Sequence, residues 1–538
     1  MNNPIQGDYT IGKSTRSKHI WSLKINKYNY MKNLILALIG SLSMINAYSQ
    51  NLTDAIRYSS GETEGTARFK SMSGAFGALG GDLSAVSINP AGSAIFNFSH
   101  GAMTVSNQST SNNVFYGSNT QRLKNSSFDM NQIGAAFVFK NRDSESQWNK
   151  FVVSLFYEQL QNYDNQFFAA GSTQKTIGDY FTGIANGLKL GNIERFSGES
   201  YSQAYIRIGS RETNLNNYDH QQAFLGYESF IFEAVDRDDN ENTAYISNIA
   251  DGDFYQEYSH ISTGYNGKFS ANIGFQYDKN IYFGINLNSH FINYERSTYF
   301  YEDNTNTGST INQVNFDNTL STTGEGFSLQ LGSIVKVNDF LRLGLTYDSP
   351  TWLRLREETT QYLYTLEDAT NLEAEVDPAV FNVFPEYNLR TPGKITGSAA
   401  FIIGTTGLIS VDYSRKDYSS TKFRSNTGVD FSQQNSRIGN SLKVANTLRI
   451  GGELRHKEFS YRGGYKMEQS PYEDTKAYGD LKGFSLGLGY SFGDSRLDLA
   501  YENSKRKMDH TFFNAGNLDA ARINSTNSNV SLTFSMSL

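Results

Sequence analysis

The residues able to do acid–base or metal chemistry are few and scattered. Seven histidines, His19, His100, His220, His260, His290, His456 and His510, are spread over the chain. No HExxH pair is present to hold zinc, and no GxSxG elbow to expose a serine nucleophile. Hydrolysis would need a Ser/His or Asp/His pair converging from separate segments, whereas isolated histidines read more simply as interior or loop residues. Asp236, Asp238, Asp239, Asn240 and Glu241 begin like a calcium loop, but the sixth and twelfth places hold Glu241 and Ser247 instead of glycine and glutamate. That run reads as a solvated turn. Gly487-Leu488-Gly489 has no helix after it and is not a phosphate loop. The expectation is a chain with no catalytic residue, no metal and no cofactor.

The elements that must position anything in this chain are alternating segments. In the last one, Val530, Leu532, Phe534, Met536 and Leu538 face one way and Asn529, Ser531, Thr533, Ser535 and Ser537 the other. Leu497, Leu499 and Tyr501 oppose Asp498 and Glu502 in the same manner. One side suits lipid and the other a polar interior. Fourteen such segments are expected, at about 98–107, 131–141, 149–160, 257–278, 281–301, 325–338, 340–357, 387–403, 406–420, 441–457, 459–469, 478–493, 495–510 and 522–538. Short turns such as Lys279-Asn280 and Gly493-Asp494 alternate with long polar connections, the pattern of a bacterial barrel. The predicted class is all-β: a transmembrane antiparallel barrel of about fourteen strands over 98–538.

Composition agrees with that class. A mean hydropathy of -0.49 over 538 residues does not exclude a membrane, because a barrel needs apolar residues only at every second position. A formal charge of -7 supplies no basic footprint for nucleic acid. The absence of cysteine excludes disulfides, thiolate metal sites and a lipid-modified N-terminal cysteine.

Ahead of the barrel, Met31 to Gln50 carries Lys32, an apolar run from Leu34 to Ile45 and a small-x-small site at Ala47-Tyr48-Ser49. It is too short to span a bilayer and reads as a signal peptide, 31–50, with 1–30 an upstream extension. Next comes 51–97, whose stretch RFKSMSGAFGALGGDLSAVSINPAGSAIF holds Gly74, Gly77, Gly80, Gly81 and Gly92 among small apolar residues. Glycine at this density has no clean period and suits backbone packed closely against surrounding walls. It reads as a plug that needs a container.

This stretch resembles the hatch of the FadL-type outer-membrane transporters of long-chain fatty acids and other hydrophobic compounds, with Asn89-Pro90-Ala91 matching that family's NPA motif. GEGFSLQLGSIVKVNDFLRLGLTYDSP resembles the family's sixth and seventh strands, and NLRTPGKITG the start of its eighth. The resemblance implies an N-terminal hatch inside the lumen of a monomeric barrel, in contact with outer-membrane lipids. It also implies passive uptake of a hydrophobic small molecule, with the ligand leaving sideways through a gap in the wall. Residues 161–256 depart from the family as a long extracellular insertion, with helices expected at Lys175 to Leu190 and Gln221 to Val235. Ile177, Phe181, Ile184 and Leu188 form an apolar stripe there. Phe167, Phe168, Phe181, Phe224, Phe230 and Phe232 fit either helix cores or an outer apolar groove. Arg296, after Tyr294 and Glu295, is the expected partner of a ligand head group, with pairing to a neighbouring acid as the alternative. A second functional class stays open: an adhesin or partner-binding barrel acting through the insertion.

Overall fold

The computed structural model describes residues 52–537 except 62–63, 144, 211–216 and 514–517. The expected signal peptide and the extension before it lie outside the described residues. Fourteen strands form one closed antiparallel barrel. They are β1 His100–Tyr116, β2 Asn119–Lys140, β3 Trp148–Asn162 continued by Asn165–Thr173, β4 Phe254–Tyr277, β5 Ile281–Asp303 and β6 Gln313–Lys336. Then follow β7 Leu341–Asp348 with Trp352–Glu367, β8 Tyr387–Arg390 with Lys394–Ile403, β9 Gly407–Asp417 and β10 Val444–His456. β11 Phe459–Glu468, β12 Leu481–Ser491, β13 Ser495–His510 and β14 Ala521–Ser537 complete the wall. β14 pairs with β1 from His100↔Ser537 to Phe115↔Arg522, which closes the barrel. Among the described residues no helix is long and apolar enough to cross a membrane.

The alternation in the sequence is the inside–outside alternation of the wall. On β13 and β14, Leu497, Leu499, Tyr501, Val530, Leu532 and Phe534 are exposed outward, while Asp498, Ser531 and Thr533 are buried. This gives an apolar outer belt, with Trp148 and Phe275 in edge contact near the short-turn end, as aromatic girdles stand at a bilayer interface. Leu488 on β12 is exposed within the belt, and its neighbour Gly487 faces the interior. Leu488→Arg is therefore expected to cost about 2–4 kcal/mol of unfolding free energy in lipid vesicles, against about 0–1 kcal/mol for Ser528→Arg above the belt. Equal losses at the two positions would contradict the facing.

Where strands differ from expectation, local chemistry explains it. β1 and β2 run well beyond 107 and begin well before 131, forming a long hairpin that turns at Gly117. Their outer halves carry Ser, Asn, Thr or Gln on both faces between the apolar residues, with Val114 and Tyr116 turned into the core under the insertion, so the period-2 signal fades. β7 is broken at Ser349-Pro350-Thr351 and β8 at Thr391-Pro392-Gly393, since proline has no N–H to give the ladder.

The 161–256 segment also differs. Its first residues continue β3, and its helices are Ile177–Ala185, Tyr201–Gly209 and Asn217–Glu228. The first stops early because Gly187 turns the chain with φ +91°. The expected second helix ends at Glu228 because Phe232–Ala234 pairs with Tyr245–Ser247 as a small hairpin. The helix at 201–209 has a capping box, Ser200 with Gln203, a signature legible in the sequence. Phe167, Phe181, Phe224 and Phe232 are buried in one core with Phe300, Phe316 and Leu363 of the wall. The insertion is thus seated on the barrel mouth, and these four rings form its core instead of an open groove.

Candidate functional site

The hatch runs through the lumen as a series of short turns and helices: Ala67–Lys70, Leu83–Ile88 and a 3₁₀ turn Pro90–Ile95. The Asn89 side chain accepts a hydrogen bond from the Ala91 N–H at 3.1 Å, and its amide donates to the Gly77 carbonyl at 2.7 Å and to that of Ser333 on β6 at 3.0 Å. One side chain therefore caps the 3₁₀ turn, closes the Gly77 loop and ties both to the wall. The Pro90 carbonyl accepts from Asn272 of β4 at 3.1 Å. Gly80 and Gly81 take φ of +63° and +67°, a conformation unfavourable to residues with a Cβ. Gly77 donates its N–H to buried Asp412 on β9.

The container proves as important as the plug. A Cβ on Gly284, Gly332 or Gly344 of β5, β6 and β7 would overlap Pro90, Asn89 or Gly77, and one on Gly487 would overlap Ser71. Gly284, Gly332 and Gly344 were not singled out in the sequence, and Gly487 only as no part of a phosphate loop. The available signal is a glycine on the inward register of an alternating strand, as in Tyr282-Phe283-Gly284.

Charge fastens the hatch at two places. Arg68 reaches Glu453 of β10 at 3.0 Å, and Arg462 bridges Glu453 to Asp498 at 2.6 and 2.8 Å, with Arg462 and Glu453 fully buried. Buried Lys70 bonds Glu64 at 2.7 Å and Glu502 of β13 at 3.4 Å. Burial disfavours the Lys70 charge, but Glu64 and then Glu502 outweigh it and hold its pKa above the ordinary lysine value.

Above the hatch, the N-terminal helix Leu52–Ser59 lies across the lumen, with Ala55, Ile56 and Tyr58 packed among Tyr163, Ile292, Tyr294 and Leu355. It separates two cavities. The outer one is about 620 Å³, bounded by apolar Leu52, Ile56, Phe167 and Phe316 and by polar Gln108, Asn112, Gln161 and Asn527. The inner one is about 210 Å³ and lined by Glu64, Glu158, Lys268, Lys416, Arg449 and Glu468, among others. Both cavities mix polar and apolar walls, and the lower one carries charges of both signs, because lumen positions are the polar half of the alternation.

Arg296 faces the outer cavity. Among the described residues it forms no ion pair and its buried Nε has no hydrogen-bond partner. His260 and His510, far apart in sequence, meet here with ring centroids 5.7 Å apart, and His260 stacks on Phe167. The His260 Nδ1 and Asn527 Oδ1 are likewise buried and unpartnered among the described residues. Tyr218 of the insertion, pushed up to about 12 chiefly by burial, stays a neutral hydroxyl in this cavity at neutral pH. In the inner cavity His290 Nε2 lies 2.8 Å from Ser328 Oγ, and among the described residues no carboxylate hydrogen-bonds that ring. The turn at 236–241 is exposed, with the Asp236 and Asp239 carboxylates accepting from backbone N–H groups.

Beside the outer cavity the wall changes character. β2 and β3 pair from Lys140↔Lys150 up to Gln132↔Glu158, and there the ladder stops. Just above, β3 bulges between Gln159 and Gln161 against β4 and breaks at Tyr163-Asp164 before resuming with β4 alone. Side chains span the seam: Asn162 donates to Ser127 and Asp129 of β2, and Gln166 to the Lys124 carbonyl. Phe128 and Met130 flank it on the outside, and Gln161, Asn162 and Tyr163 line the outer cavity on the inside. The hatch touches both edges at the last ladder pair, through Ser84 to Gln132 and through Ser87 to Glu158.

No family model matches this sequence, and no curated protein matches it. Among solved structures, a Pseudomonas aeruginosa FadL homologue aligns over 89% of this chain and 100% of its own at 12% identity, with a TM-score of 0.51. The Pseudomonas putida toluene transporter TodX aligns over 88% of this chain and 99% of its own, at 12% identity and a TM-score of 0.49. The Ralstonia pickettii toluene transporter TbuX gives the same coverages and identity, with a TM-score of 0.45. At such identities likeness speaks to architecture, and with the fourteen-stranded wall and occupied lumen already in place, the fold of this chain is that of the FadL-type outer-membrane barrels.

Proposed function

We propose that the chain is an outer-membrane channel for passive uptake of hydrophobic small molecules, long-chain fatty acids or compounds of similar polarity, gated by its hatch. The observation that carries this reading is the seam: an amphipathic cavity adjoins a break in the β2–β3 ladder flanked outside by Phe128 and Met130, while the way down is filled by the hatch and a charged cavity. A ligand with an apolar body gains about 0.8 kcal/mol per buried CH₂ on reaching the membrane and loses by passing a charged chamber. Sideways release is the downhill route, and no energy source is needed. Ligand lands under the insertion, its head group meets Arg296, and the N-terminal helix and hatch yield as it moves to the seam. Arg296→Ala is expected to lower the amount of fatty acid copurifying with the native barrel about tenfold, the loss of one charge-assisted contact of about 1.5 kcal/mol. Mass spectrometry of extracted lipids checks this, and a consistently empty wild-type barrel would count against uptake.

One observation favours partner binding as a second reading. Phe196, Ile206, Phe230, Val235 and Ile246 of the insertion are exposed on its surface. Saturable protein binding lost on removal of the insertion, with uptake unchanged, would support it.

A further inference from the structure

The outer wall above the belt is not electrically uniform. Strand register places Lys482, Lys505, Thr526, Ser111 and Lys124 in one lateral row across β12, β13, β14, β1 and β2. The next row outward holds Lys507, Asn524, Asn113 and Arg122, and the next Arg522. All six cations are exposed. Of the acids near these rows, Asp509 pairs with Arg522 at 3.6 Å, Asp480 accepts the Ser470 N–H and Asp519 accepts from the Thr173 hydroxyl. Among the described residues Arg122, Lys124, Lys482, Lys505 and Lys507 form no ion pair. Lys482 and Lys505 stand directly opposite each other in the ladder, an arrangement that destabilises a sheet unless an anion lies between them. Elsewhere at this height the wall carries both signs, as where Arg354 and Arg356 meet Glu386.

Position identifies the anion. Lys482, two residues before Phe484, is the next outward-facing residue above it, and Lys505 lies four residues, about 13 Å of strand, beyond Tyr501 at the edge of the belt. The row is about 19 Å wide across its five strands. Charges at this level, on the lipid-facing side, meet the head groups of whatever lipid packs against Phe484, Tyr501 and Val530. We propose that this face binds the phosphorylated head group of an outer-leaflet glycolipid. Its acyl chains lie on the belt and its phosphates between the lysines of β12–β13 and the Arg122–Lys124 edge of β2. Because β2 also borders the seam, the bound glycolipid stands beside the lateral exit and fixes one of its lips. This rests on the outer-membrane reading, with the insertion facing outward.

The test uses the full chain in nonionic detergent, titrated with a bisphosphorylated lipid A and with the same glycolipid stripped of its phosphates, bound lipid being counted by native mass spectrometry. The phosphorylated form is expected to bind about tenfold more tightly, less so as salt rises from about 0.05 to 0.5 M. The combined variant R122Q/K124Q/K482Q/K505Q/K507Q should lose about that factor, and R354Q/R356Q on the other wall should lose none. Equal binding of the two glycolipids, or wild-type affinity in the five-site variant, overturns the proposal. The two-lipid comparison needs no variant and stands even if the substituted barrel does not fold. A wild-type chain that fails to insert into bilayers sinks the outer-membrane reading; one that inserts and ignores the phosphates sinks this proposal alone.

Discussion

Deletion of Ser71 to Phe96 is expected to turn a closed barrel into a conducting pore, with single-channel conductance rising several-fold to that of a water-filled lumen. The wall itself motivates the magnitude. Its inward positions carry Asp412, Glu453, Arg462 and Asp498, groups that hydrate readily once the hatch is gone, so the emptied lumen fills with water and ions instead of collapsing. The wall glycines that now accommodate Asn89, Pro90 and Gly77 would leave the passage wider still. The wall pairs with itself all the way round from β1 to β14, so the deletion removes no strand. An unchanged conductance would mean that the N-terminal helix or the insertion seals the barrel and that the hatch is not its gate.

Glu453→Ala should give the largest stability loss of any single substitution considered, about 3–5 kcal/mol, because it removes one partner of a buried ion network and leaves the others uncompensated. Glu453 is the only carboxylate that Arg68 contacts among the described residues and is shared with Arg462 and Arg455. With the guanidinium of Arg68 unpaired, the hatch loses its fastening to β10. The first consequence should be proteolytic cleavage inside the hatch at denaturant concentrations that leave the wall intact. By contrast the exposed Lys189–Glu241 pair should contribute no more than about 1 kcal/mol. Denaturant unfolding followed by near-UV signal, with limited proteolysis in parallel, measures both quantities. A loss below about 1 kcal/mol at Glu453 would show that water penetrating the lumen already screens the network.

The seam ties these expectations to transport. Ser84 and Ser87 of the hatch hold Gln132 and Glu158, the last ladder pair between β2 and β3. A hatch loosened at Glu453 therefore bears on the place where the wall is already unpaired, and leakage of ions and sideways release of ligand are expected to rise together.

Residue patterning alone determined the class of this protein. A strand's two faces are set by its own odd and even residues, so Leu497, Asp498, Leu499 and Tyr501 declare lipid and lumen without knowledge of any neighbour, and fourteen such segments declare a barrel. The plug was legible for a similar reason: a glycine-rich run with no period can serve neither as strand nor as strong helix, and Asn89-Pro90-Ala91 marked its turn. Local patterning faded where the environment stopped being two-sided. The outer halves of β1 and β2 carry polar residues on both faces, and their strands became visible only through pairing. Tertiary structure alone decided the rest, because each remaining feature is a meeting of distant segments. His260, His510 and Arg296 come from three strands into one cavity; Gly284 and Gly332 acquire meaning from the hatch backbone against them; the aromatic rings of the insertion become core because the wall supplies the other half of it. The seam is the plainest case, since a ladder ends where two strands diverge, and divergence is a property of the pair that neither sequence carries by itself.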